Sequence, residues 1–277
     1  MRIAKPAESP ANAGSVTMRE FRIILTTIMF YTIVPVPAFA FRPDYLQKIL
    51  RYSSLVGAVI GAVGAFVYWC LAQIFSPGVH ADPITTIGAL LVITAMTGCL
   101  HEDGFADLCD GLATHGSLDR KLNAMRDSRI GSAGATGLVL MLALKIAALC
   151  AIDATQIPAA LIVAHSVSRF AGGAYVFTHS YARARSDAAP ASGNKPIVTR
   201  MTPGDFLIAG TIASCTLLLL PDARAFILAP ILAGGFWMFG RLLEKNFGGY
   251  TGDCLGAAQQ LFEVMIYLTI AGVYRIG

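Results

Sequence analysis

Long apolar runs alternate with short polar connections along most of the chain. Stretches of spanning length lie at about residues 53–75, 84–101, 131–152, 157–178, 204–220, 224–240 and 255–273. Each predicts one membrane-crossing helix. Lys and Arg fall in alternate connections: 41–52 (Arg42, Lys48, Arg51), 102–130 (Arg120, Lys121, Arg126, Arg129), 179–203 (Arg183, Arg185, Lys195, Arg200) and 241–254 (Arg241, Lys245). Connections 76–83, 153–156 and 221–223 carry none. The positive-inside rule then puts the first set in the cytoplasm and leaves the C-terminus outside.

The apolar stretch at 23–41 departs from this alternation. Arg19 and Arg22 precede it and Arg42 follows it, while Pro35 and Pro37 interrupt any helix there. These features predict a re-entrant or interfacial hairpin with both ends on the cytoplasmic side. A plain eighth crossing is the stronger competitor. A signal peptide cleaved after Ala38-Phe39-Ala40 is the weaker one, since it would reverse every later basic connection. Residues 1–17 are polar, Ala-rich and without periodicity, and predict a disordered tail. Residues 18–277 then form a single integral-membrane domain. The expected fold is all-α: a polytopic helical membrane protein with about seven spans plus the N-terminal hairpin.

Composition agrees. Apolar residues make up 55% of the chain and charged ones 14%, against about 25% charged in a soluble domain. Mean hydropathy is +0.62, which excludes a soluble domain with one anchor. The net charge of +4 gives no reason to expect nucleic acid as a partner. Six scattered cysteines without a CxxC pair read as small apolar residues.

Against this apolar background, four of the 17 acids fall within Glu102-Asp103-Gly104-Phe105-Ala106-Asp107-Leu108-Cys109-Asp110. On a helix Asp103, Asp107 and Asp110 sit at about 0°, 40° and −20°, one stripe of like charge. Such a stripe beside hydrocarbon calls for compensation, and a divalent cation holding a phosphate supplies it. His101 and His115 match no zinc spacing, and carboxylate oxygens suit magnesium better.

Three further elements belong to the same chemistry. Arg126-Asp127-Ser128-Arg129-Ile130-Gly131 offers two guanidinium forks suited to phosphate, although a basic cytoplasmic flank also explains the arginines. Arg169, in His165-Ser166-Val167-Ser168-Arg169, lies within a span, where a cation is costly and marks function by default. Gly172 and Gly173 there permit close helix approach, and His165 reads as a core histidine. Gly248-Gly249-Tyr250-Thr251-Gly252-Asp253 gives backbone N–H groups for an anion at a helix start, with a simple N-cap as the plainer account. Glu263 is a buried-acid candidate. The loop with Arg183, Arg185, Asn194 and Lys195 reads mainly as a solvated basic face.

The acidic run, the Met125–Gly131 segment, Gly249-Tyr250-Thr251-Gly252-Asp253-Cys254-Leu255-Gly256-Ala257 and Val34-Pro35-Val36-Pro37 occur in the order seen in one family. The chain resembles the adenosylcobinamide-GDP ribazoletransferases, or cobalamin synthases. The resemblance implies an inner-membrane enzyme that joins adenosylcobinamide-GDP to α-ribazole or its 5'-phosphate and releases GMP with Mg²⁺. On that reading Glu102, Asp103, Asp107, Asp110 and Asp253 hold metal. Arg126, Ser128, Arg129, Arg169, Thr251 and Gly252 bind substrate, and Asp110 or Asp127 is the general base. The site would face the cytoplasm beside the bilayer. A homo-oligomer or a complex with other corrinoid-pathway enzymes is compatible with it. A CDP-alcohol phospholipid phosphotransferase is the alternative with kindred chemistry. An ion or metal transporter is less favoured, because the unusual polar groups gather on one side.

Overall fold

The computed structural model describes residues 16–75, 82–182, 198, 200–220 and 225–276. Residues 1–15 and the loop cations Arg183, Arg185 and Lys195, with Asn194, lie outside the described residues; Val16 and Thr17 of the expected tail are helical.

Helix α1 (Val16–Tyr31) stops ahead of the two prolines. The chain then doubles back through a 3-10 turn (Ala38–Ala40), the short α2 (Pro43–Leu46) and a second 3-10 turn (Ile49–Tyr52). The buried Thr26 hydroxyl lies 3.1 Å from the Ala40 carbonyl, so the returning strand of the hairpin packs on α1. Arg51 ties the hairpin down. Its Nη1 donates to both Glu20 oxygens at 2.8–2.9 Å, and its Nε donates to Asp205. Burial works to raise the Glu20 carboxyl, but hydrogen bonds from Arg51 and Tyr52 hold it below the usual range.

Among the described residues five helices are long and apolar enough to cross a membrane: α3 (Ser53–Phe75, counted with the 3-10 turn before it), α7 (Ser132–Cys150), α8 (Ile157–Thr178), α10 (Ala225–Phe247) and α11 (Gly252–Ile276). A sixth span exists if the bent pair α4 (Pro83–Thr97) and α5 (Leu100–Ala113) is one, yet these two helices meet at 87°. The bend arises at Gly98 and Cys99, successive residues in the left-handed region at φ 61° and 59°. The expected span at 84–101 therefore ends at Thr97, and the acidic run is a separate helix. The apolar stretch expected at 204–220 becomes α9 (Pro203–Thr216) and a 3-10 turn. Its 14 helical residues cover about 21 Å, short of a hydrocarbon core of about 30 Å. The short α6 (Leu118–Ala124) joins α5 to α7.

Most of α8 and α11 is buried, and the other helices surround them. Glycines allow backbone contact at the crossings. A Cβ at Gly57 would collide with the His165 carbonyl, fixing α3 on α8. One at Gly104 would approach the Asp253 carbonyl to 2.8 Å, which seats α5 against the start of α11. Phe66, Trp69, Leu140, Leu207 and Trp237 remain exposed, as a lipid-facing surface requires.

Candidate active site

Where α5 and α11 touch, both helix starts open on one cavity of about 440 Å³. Asp103 comes from the first turn of α5 and Asp253 from the first turn of α11. Carboxylates in those positions are favoured by the positive ends of the two helix dipoles. Asp103 is exposed and Asp253 half-buried, so the acids stand at the mouth. Phe30 and Tyr31 of α1 and Arg169 of α8 complete the wall.

The approach to α11 requires its glycines. Gly248 and Gly249 have φ of 68° and 147°, and a side chain at Gly249 would overlap the Ser180 carbonyl. That close contact lets Tyr250 N–H donate to the Ser180 carbonyl at 3.0 Å and Ala182 N–H to the Tyr250 carbonyl at 2.9 Å. Thr251 is fully buried, and its hydroxyl accepts the Cys254 N–H at 3.3 Å, which is the N-cap geometry. Gly252, one residue on, lines the cavity.

Arg169 is 3% exposed. Its Nη1 donates to the His165 carbonyl at 3.0 Å and lies 3.1 Å from His165 Nδ1. The guanidinium lies 5.8 Å from the centre of the Tyr31 ring, whose face stacks on His101. Among the described residues its Nε has no hydrogen-bond partner.

Behind this wall is a buried polar network that sequence reasoning mostly missed. Lys145 of α7 pairs with Glu263 at 3.0 Å and donates to Gln260 at 2.7 Å. Glu263 also accepts from Gln259 at 2.7 Å and from Tyr267 at 3.1 Å. Gln260 donates to Glu102 at 3.1 Å, and the second Glu102 oxygen has no partner among the described residues. Lys145 carried a usable signal, being a cation inside an apolar run like Arg169. Gln259 and Gln260 carried none beyond their place one turn before Glu263. Polar groups thus extend into the helix core as well as gathering at one end.

The rest of the acidic stripe leads away from the cavity. Glu102 is buried and is not among the lining residues. Asp107 is half-buried one turn beyond Asp103. Asp110 accepts N–H bonds from Gly131 at 2.7 Å and Gly134 at 2.8 Å, closing the first turn of α7. Arg126, Asp127, Ser128 and Arg129 are exposed on the adjoining loop, outside the cavity. Arg129 forms a fork on Asp127 at 2.8 and 3.0 Å, and those bonds pull the Asp127 carboxyl down to about 2.

No three His, Cys, Asp or Glu side chains among the described residues converge closely enough for an all-protein metal cage. Asp103 and Asp253 still fit magnesium, which is usually held by one or two carboxylates with water and substrate phosphate.

The fold and this cavity define an integral-membrane helical protein with an acid- and arginine-lined chamber at one end of its bundle. Residues 23–271 match the family model of cobalamin-5-phosphate synthase, and the chain belongs to that family. Among its relatives is an adenosylcobinamide-GDP ribazoletransferase of Ralstonia nicotianae, 36% identical over 249 residues, covering 88% of this chain and 93% of the relative. Another, from Shewanella frigidimarina, is 36% identical over 266 residues, covering 92% and 96%. No solved structure matches the chain.

Proposed function

We propose that this chain joins adenosylcobinamide-GDP to α-ribazole or its 5'-phosphate, releasing GMP, with magnesium bound at Asp103 and Asp253. The observation that carries the reading is the convergence of two acids and a buried arginine on one cavity in a chain of this family. Magnesium, when bound, supplies neutralisation of the diphosphate oxygens. The chain's own residues position the reactants. The diphosphate lies at the mouth beside Asp103, and the exposed Arg126 and Ser128 on the loop beyond α6 are free to meet the leaving nucleotide, while Arg129 is engaged by Asp127. Bonds from Arg129 hold the Asp127 carboxyl low and weaken it as a base, and both Asp110 oxygens are taken up by the N–H groups of Gly131 and Gly134. The attacking hydroxyl therefore gives its proton to whichever of Asp103 and Asp253 is less engaged by the metal.

Among the lining residues, Leu50, Tyr181, Val198 and Tyr250 belong to the Lys- and Arg-bearing connections 41–52, 179–203 and 241–254. The basic connections support reading the cavity's end of the bundle as cytoplasmic by the positive-inside rule, in a bacterial inner membrane. The test is GMP release from adenosylcobinamide-GDP by purified protein in lipid vesicles, with each acceptor and with or without magnesium. Acceptor-dependent release that stops on chelation is expected. Absence of release refutes the reaction, and release undiminished by exhaustive chelation refutes the metal role.

A further inference from the structure

Arg169 presents an electrostatic demand that the protein meets only from a distance, through Glu263 and Glu102. It is 3% exposed. Among the described residues no carboxylate lies within ion-pair distance of its guanidinium; Glu263 pairs instead with Lys145 and approaches His165. Its bonds go to one carbonyl and one imidazole nitrogen, its Nε is without a partner, and it lines the cavity. Burying a cation this way is costly, and an anion entering the cavity offsets that cost.

The transfer reaction proposed above, on which this inference rests, brings two phosphate-bearing groups. The diphosphate of adenosylcobinamide-GDP is internal, with a corrinoid on one side and guanosine on the other. A group flanked in that way can lie across the mouth, beside the exposed Asp103, but cannot be threaded to a buried residue through a space of about 440 Å³. A terminal phosphate on a nucleotide-sized molecule can. The volume falls within the roughly 300–1,000 Å³ typical of small-ligand pockets, and Phe30, Leu50 and Val198 give it an apolar wall for an aromatic base.

We propose that this cavity is the acceptor subsite and that Arg169 binds the terminal phosphate of a ribazole phosphate, selecting the phosphorylated acceptor over the free riboside. The phosphate lies deepest, the base lies along the apolar wall, and the ribose hydroxyls face the acids at the mouth. Arg169 is then a specificity residue for the acceptor and makes no contact with the donor diphosphate.

The experiment is calorimetric titration of full-length protein in lipid nanodiscs with α-ribazole 5'-phosphate and with α-ribazole, donor absent. A preference of about 10- to 100-fold for the phosphorylated compound is expected, the range that one or two charge-assisted hydrogen bonds carry. Arg169→Gln should reduce it to within about threefold of unity. Arg169→Lys, which keeps the buried charge without the fork, should retain part of it and serves if the first variant does not fold. Without any variant, inorganic phosphate should displace the phosphorylated acceptor from the native protein and leave α-ribazole bound. Equal weakening of both acceptors, a preference that survives Arg169→Gln, or an increase confined to the KM for adenosylcobinamide-GDP would overturn the assignment. Tight, Arg169-dependent binding in a protein that releases no GMP would sink the transfer reaction and leave the subsite standing.

Discussion

Asp103 and Asp253 differ in sequence neighbourhood and agree in place: each sits in the first turn of its helix, and both face the same cavity. Replacing either by Asn removes a charge and keeps the shape. Turnover should fall by at least about 100-fold, as expected when a metal or proton-transfer group is lost, while the protein still inserts and melts near the native temperature. Near-native turnover in Asp103→Asn would remove that acid from the site. Lys145 and Glu263 predict the opposite pattern. Each is at most 3% exposed, so removing one partner strands the other charge inside the helices. Lys145→Met should cost about 3–5 kcal/mol of stability. Lys145→Met with Glu263→Gln should recover much of it, which thermal melting in detergent of the single and double variants would reveal.

The elements were legible to different depths. Apolar length alone placed α3, α7, α8, α10 and α11, because a bilayer imposes that length on a helix. The basic flanks and prolines around 23–41 likewise foretold that the chain turns back there. Hydropathy did not disclose the break before α5, since Gly98-Cys99 adds no charge and the turn resides in two left-handed backbones. The three aspartates do share a helix, yet only Asp103 reaches the cavity; Asp110 completes α7 and Arg129 closes on Asp127. Spacing gives angles about an axis and says nothing of which neighbour stands opposite. Two substitutions separate these parts. Cys99→Gly relieves a left-handed residue that costs about 1 kcal/mol and should be neutral or mildly stabilising. Asp110→Ala leaves two N–H groups of α7 unpaired and should lower stability by about 0.5–2 kcal/mol. A fall in turnover far beyond that loss of stability would assign Asp110 a direct part in the chemistry.

At the scale of the whole molecule, cross-links gather at one end of the bundle. Arg51 joins α1 to Asp205 at the start of α9, Lys121 of α6 donates to Asn246 of α10 at 2.9 Å, and the Ser180–Ala182 segment pairs with Tyr250. Of these, Tyr181 and Tyr250 line the cavity, so part of its wall is built from connections far apart in sequence. Arg51 is the most informative of these links, because it touches no lining acid yet follows Ile49 and Leu50, which line the cavity. Arg51→Ala leaves the largely buried Asp205 carboxylate without its partner and frees the hairpin that carries Phe30 and Tyr31. If the hairpin shapes the acceptor side, the KM for the acceptor should rise several-fold with little change in the KM for adenosylcobinamide-GDP, at a temperature well below the variant's melting point. A uniform fall in kcat with both KM values unchanged would instead mean that Arg51 supports the bundle as a whole and that the hairpin does not shape the cavity.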